Sequence, residues 1–210
     1  MNRIAEQHAF YSEVVPGQFN RTHSLQSEAA RNDPDAARVL EEMEAVRASI
    51  VVQIDAGEAL HRHGFDIERG RMRYVEVPSR TPFLILGHSL DDFEDLRREC
   101  GDSLLGFLGG LAGLGDEMRL TAQRVRSLRE LDGSLVFERV GPGGFALFAH
   151  FGGAAPSAEP RATIQLDEDT YARLKSGSLD PQDAFLSGQI EVSGDEGMAI
   201  GLALAALSPE

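Results

Sequence analysis

The sequence predicts an α+β fold made of two related units, each a mostly antiparallel sheet of about five strands covered on one face by helices. Three observations carry this expectation. Short alternating runs ended by Gly-bearing turns recur in SIVVQID, ALHRHGFDI, RMRYVEV and PFLILGH, and again in GSLVFERV, GFALFAHF and RATIQL. Capped helical segments follow each group of strands instead of alternating with them. The order of elements then occurs twice.

Residues 1–38 read as a partly helical extension, 39–123 as a first, divergent unit and 124–210 as a second. In the extension, HAFYSEVVPGQF sets Phe10, Tyr11, Val14, Val15 and Phe19 among polar residues. That pattern suits either docking across a groove or a local helix ended by a turn at Pro16-Gly17. DPDAARVLEEMEAVRASI is a helix with Asp33 as its cap and Pro34 in its first turn, expected to pack on the first sheet. In the second unit, Asp180 caps and Pro181 opens a short helix whose buried side is Ala184, Phe185 and Leu186 and which Gly188 ends. Ile190 and Val192 alternate with polar residues as a strand, Gly194 turns the chain, and Asp195 caps a last helix. That helix, with Met198, Ile200, Leu202 and Leu204, is apolar on most faces and is expected to be largely buried.

The stretch from Gly101 to Leu120 repeats this grammar. Asp180, Phe185, Leu186 and Gly188 each follow Asp102, Phe107, Leu108 and Gly110 by 78 positions. Gly194, Asp195 and Glu196 follow Gly115, Asp116 and Glu117 by 79. The preceding helices agree as well, with Phe93 and Leu96 answering Tyr171 and Leu174, whereas the leading strands match at an offset of 85 because the first unit has a longer hairpin region. The sequence is therefore expected to be a tandem duplication. LAGL, from Leu111 to Leu114, stands where QIEVS stands later, so the first unit's last strand is expected to be degraded.

Composition narrows the function. A chain of 210 residues with 42% apolar content can bury a core, and a net charge of −14 excludes a general nucleic-acid binder and disfavours anionic membranes. The single cysteine, Cys100, allows no intrachain disulfide and sits where a passive thiol is expected. No apolar run of signal-peptide length opens the chain, and MAIGLALAAL is about half the length of a membrane span. A cytoplasmic protein without stable membrane insertion is the simplest expectation.

The segment AFLSGQIEVSGDEGMAI closely resembles the sterol carrier protein type 2 domain, in which a short helix ending in an F-L-x-G-like sequence precedes the last strand, a G-D turn and a C-terminal helix. The first unit resembles it more weakly, through FLGG and GDEM. The resemblance implies an apolar tunnel between sheet and helices that carries a sterol, fatty acid, acyl-CoA or other lipid without catalysis. Residues expected to face it are Leu104, Leu105, Phe107, Leu108, Phe145, Leu147, Phe185, Leu186, Ile190, Val192, Met198 and Ile200. Phe145, Leu147 and Phe151 share one strand face and Phe148 the other, and a packed core would use the same residues as a tunnel wall.

Sites of chemistry are weaker. His61 and His63 alternate on one strand face with the spacing of two metal ligands, but no Cys or carboxylate lies beside them at a ligand spacing, which favours solvent-side histidines on an edge hairpin. His88 and His150, near strand ends, suit local hydrogen bonds. LDDFED and LDEDTY place carboxylates at helix starts, where capping explains them, and GPGGF reads as a hairpin turn. No metal or cofactor is expected. The leading reading is a carrier of a hydrophobic small molecule, with a homo-oligomer or protein partner left open. The alternative is an assembly scaffold with a filled interior, and the third is an enzyme using His61, His63 or His150.

Overall fold

The computed structural model describes residues 3–111, 118–153, 155–157 and 159–206. Helix α1 (Arg3–Ala9), a π-helical turn (Phe10–Val14), α2 (Val15–Ala29) and α3 (Pro34–Ala45) precede the first strands. Strands β1 (Arg47–Asp55), β2 (Leu60–Glu68), β3 (Arg71–Val75) and β4 (Leu84–Ser89) follow, then α4 (Phe93–Cys100), α5 (Gly106–Leu111) and α6 (Ala122–Glu130). The remaining elements are β5 (Gly133–Arg139), β6 (Phe145–Phe151), β7 (Ala162–Leu166), α7 (Glu168–Lys175), α8 (Pro181–Leu186), β8 (Glu191–Gly194) and α9 (Glu196–Ala206). The fold is mixed α+β, as expected.

The expected pair of separate sheets is not what the described strands form. They make one eight-stranded sheet in the order β3-β2-β1-β4-β6-β5-β7-β8. The reason lies at one edge. In the second half, β7 runs parallel to β5 and takes β8 antiparallel on its other side. In the first half, β4 runs parallel to β1, but its other side is taken antiparallel by β6. An open strand edge is a template for whichever partner reaches it, and here it joins the halves. Of the segment expected to hold the degraded strand, Leu111 ends α5, while Ala112–Leu114, like Gly115, Asp116 and Glu117, lies outside the described residues.

Register relates the halves closely. Ile50 pairs with Leu84 and Phe65, and Leu135, 85 positions after Ile50, pairs with Ala162 and Ala149. The amide of Phe83 donates to Ser49 O (3.0 Å), and that of Arg161 donates to Ser134 O (2.7 Å). Both serines are buried and meet a polar residue of the next strand: Ser49 Oγ donates to Asp66 Oδ1 (2.6 Å), and Ser134 Oγ pairs with His150 Nδ1 (2.8 Å).

The core sits on one face of the sheet, where β1 alternates as Ala48, Ile50, Val52 and Ile54 and β6 as Phe145, Leu147, Ala149 and Phe151, all buried. Helical Phe93, Leu96, Leu128, Tyr171, Leu174 and Leu202 join the same cluster. On the opposite face Val51, Val136 and Phe148 are half-buried, whereas Ser49, Ser134 and His150 are buried.

One local expectation needs correction, and another is met. The chain does not turn at Pro16-Gly17 but continues as helix through them. Proline lacks the N–H of a regular ladder and clashes with the preceding turn. Here the widened turn at Phe10–Val14, closed by the Val15 amide on Phe10 O, absorbs that mismatch just before Pro16. The GPGGF turn is a hairpin turn, wrapped around the buried guanidinium of Arg139, which donates to Pro142 O (2.9 Å) and to Gly143 O.

Candidate functional site

The site is built by the segment 180–197. Asp180 Oδ1 accepts the amides of Gln182 (2.8 Å) and Asp183 (3.3 Å), so α8 starts where its cap and Pro181 dictate. Gly188, at φ +74, ends it. At the far end of β8, Gly194 takes φ +87 with its Cα against Arg161 O, a place where a Cβ would collide. Asp195 Oδ1 then accepts the amide of Met198 (3.0 Å) while its other oxygen pairs with Arg161. The Met198 amide and the Arg161 guanidinium hold the Asp195 carboxyl below the usual range. The start of α9 is thereby pinned to the head of β7. Its end is pinned too: the buried Arg124 of α6 donates to Ala206 O (3.1 Å).

Between these fixed points lies a cavity of about 430 Å³. Its floor is Ile164 of β7 and Val192 of β8, and its walls come from α8 (Phe185, Leu186), α9 and, from the first half of the chain, Leu108 and Leu111 of α5. Gln182 is the polar side chain among the lining residues. On α9, Ala199, Ala203 and Ala206 lie at spacings of four and three, so one helical face presents methyl groups to the space. The cavity reaches the surface through an apolar rim: Leu186 is 72% exposed, Leu204 65% and Ile200 49%. The expectation of a largely buried last helix therefore fails at this rim, where α9 borders the cavity opening. Exposed apolar groups gathered around an opening are unusual on a soluble surface.

Of the residues expected to face a tunnel, Leu108, Phe185, Leu186, Ile190, Val192 and Ile200 come together on this cavity. The others do not. Leu104, Phe107 and Leu147 line a void of about 30 Å³ in the first half, and Leu104 and Leu105 one of about 20 Å³. Phe145 and Met198 are buried in the core. Sequence reasoning missed Ile164, Leu111, Gln182 and the alanine face of α9. The alternation in RATIQL could have indicated Ile164, and the alanine spacing could have indicated the open side of α9.

The histidines are arranged differently from expectation. β2 and β3 do form the hairpin at the sheet's edge, but His63 is buried on the helix-covered face, stacked on Tyr11 with ring centroids 4.9 Å apart. Burial pushes His63 down to about 4, helped by the neighbouring His8, His61 and His88. His88 donates from Nδ1 to Ser89 O (2.7 Å), and its Nε2 accepts the Tyr11 hydroxyl (2.7 Å). Burial lowers the pKa of His88 as well, against the opposing pull of Ser89 and Asp92. His150 pairs across the sheet with Ile85, on the opposite face from His63, so these histidines do not converge. Among the described residues no cluster of three His, Cys, Asp or Glu side chains could hold a metal ion. Cys100 is buried, its sulfur 3.8 Å from the Tyr171 hydroxyl. No helix among the described residues is long and apolar enough to cross a membrane.

Residues 118–206 match the SCP-2 sterol transfer family, so the resemblance seen in AFLSGQIEVSGDEGMAI is to that family. Among solved structures, the chain is similar to sterol carrier protein 2 from Yarrowia lipolytica in its apo form (19% identity, 41% of this chain and 78% of that one, TM-score 0.31). It is similar to sterol carrier protein domain 2 of Helicoverpa armigera (25% identity, 41% and 76%, TM-score 0.27). A third, sterol carrier protein 2 like 2 from Aedes aegypti, is 11% identical over 86% of this chain and 95% of that one, with a TM-score of 0.21. No curated protein matches the chain.

Proposed function

We propose that this protein binds the apolar chain of a lipid-class ligand in the cavity under α9 and carries it without chemical change. The observation that carries the reading is the cavity itself, about 430 Å³ with an almost wholly apolar lining and an exposed apolar rim. Such a site works by removing ligand surface from water. A chain of about ten buried methylenes contributes about 8 kcal/mol before the costs of ordering and association. Gln182, at the N-terminal turn of α8, is placed to accept or donate one hydrogen bond to a hydroxyl or carbonyl of the ligand. The family match over 118–206 supports the lipid class.

We further read the chain as two units of one ancestral design, divided near residue 123. The repeated register and the paired Ser49–Asp66 and Ser134–His150 contacts support it. The test is delipidation followed by exposure to mixed membrane lipids and native mass spectrometry. Retention of a stoichiometric lipid adduct is expected. Apo-protein alone, with no displacement of a fluorescent fatty acid by any lipid tried, would overturn the reading.

A further inference from the structure

The positions that line the open cavity have counterparts in the first half, and there the space is filled. Ile164, Pro181, Gln182 and Phe185 line the cavity; the residues 78 positions earlier, Leu86, Ser103, Leu104 and Phe107, all line the void of about 30 Å³. What occupies the space between them is the N-terminal segment. Phe10, Tyr11 and Val15 are buried against Leu86, His88, Phe93, Leu96 and Phe107, and Val15 and Phe19 close the neighbouring void of about 20 Å³. Among the described residues, the second half has no helix in the corresponding place.

The segment is held as a lid rather than threaded into the sheet. Its contacts are side-chain ones: the Tyr11 hydroxyl on His88 Nε2 (2.7 Å), Arg3 on Asp91 (3.0 Å), and Asn20, which exchanges two hydrogen bonds with the backbone of Met72 on the sheet's edge strand (2.9 and 3.0 Å). It also fits imperfectly. Gln7 is buried, and its Nε2 has no hydrogen-bond partner among the described residues, a cost that exposure to water would remove. At the lip of the filled space stands Arg97, its guanidinium 4.9 Å from the Phe10 ring, 3.9 Å from Glu6 and 3.5 Å from Asp102. Two of those three contacts belong to the lid. Were it to leave, Arg97 would keep Asp102 and stand as a cation beside an apolar slot, in a chain whose net charge is −14.

We propose that the first half holds a second, occluded site for a long-chain carboxylic acid, with Phe10, Tyr11 and Val15 of the chain's own N-terminal helix occupying the place of the acyl chain and Arg97 positioned for the carboxylate. This rests on the two-unit reading but not on the open cavity having a ligand. Opening exchanges the burial of Phe10, Tyr11 and Val15 for burial of ligand chain, so apparent affinity is the intrinsic affinity reduced by the fraction of chains with the lid displaced.

The test counts sites in the full chain with a fluorescent polyene fatty acid. The double variant F10A/Y11A is expected to bind one more probe per chain than wild type. In an Ala199→Phe background, which fills the open cavity, wild-type lid residues should leave no site and F10A/Y11A should leave one. In that last variant, Arg97→Gln should weaken the free acid about tenfold and leave its methyl ester unchanged. A folded F10A/Y11A chain with unchanged stoichiometry overturns the proposal. A wild-type chain that binds nothing while F10A/Y11A gains one site removes the carrier reading of the open cavity and upholds this one. Hydrogen exchange on wild type covers failure of the variant to fold. Residues 3–29 are expected to open before β1 and β4, and faster with excess probe; exchange of this segment only with global unfolding overturns the proposal.

Discussion

The two halves of the sheet share a strand register and differ in what lies beneath it. Under β1 and β4 the interior is closed by Phe10, Tyr11, Val15 and Phe19 of the N-terminal helix, leaving voids of about 30 and 20 Å³. Under β7 and β8 the interior keeps a cavity of about 430 Å³. Equivalent wall residues thus serve as core in one half and as cavity lining in the other. Wall chemistry does not decide whether a space is open; the presence of a neighbouring element to fill it does.

The largest expected effect comes from making the second half resemble the first. Ala199→Phe directs a ring into the cavity and should weaken fatty-acid binding about 100-fold or more, measured by probe displacement, while thermal unfolding stays at or above the wild-type midpoint because a void is filled. The frame around the cavity should be the next most sensitive. Gly194→Val should destabilise by about 3 kcal/mol in urea titration, since it adds a branched side chain at φ +87 against Arg161 O. Gly188→Ala, at φ +74 with open space around it, should cost only about 1 kcal/mol. Equal costs would mean that the β7–α9 junction is not the rigid corner described above.

The lid gives smaller, pH-dependent effects. Tyr11→Phe leaves His88 Nε2 buried and unpaired and should cost about 1–3 kcal/mol. Both His63 and His88 have pKa values lowered by folding, His63 to about 4. A neutral form favoured by the fold contributes stability that is complete above the unfolded value of about 6.5 and is lost as pH falls through the folded value. Acidification from about pH 6.5 to 4 should therefore loosen the N-terminal helix before the second half, visible as faster amide exchange at residues 3–29. A lid that tightens on acidification would reverse that sign. Smallest should be the difference between the paired serines. Ser49→Ala removes a hydrogen bond to a carboxylate and should cost about 2 kcal/mol, whereas Ser134→Ala removes a bond to an imidazole and should cost about 1 kcal/mol.

Much of the local structure is legible in the residues. Asp33, Asp167, Asp180 and Asp195 each cap the helix their position announces, because a cap is a contact within three residues of itself. The alternation in SIVVQID, GFALFAHF and RATIQL identifies strand and inward face alike, because pleating fixes both over a few residues. The site is legible by halves. Phe185, Leu186, Ile190 and Val192, expected to face a tunnel, line the cavity, but Phe107 and Leu104, also expected to face one, border a space already taken. His63 is misread as solvent-side, because Tyr11, which stacks on it, comes from a segment far from it in the chain.

Caps, glycine turns and strand faces follow from the amino-acid order, since each depends on neighbours a few residues away. Three outcomes required the assembled chain: the capture of the β4 edge by β6, the filling of the first half by the N-terminal helix, and the opening left under α9. Each is a competition between distant segments for one edge or one volume. Apolar residues enter such competitions on equal terms, so only the packing selects the winner.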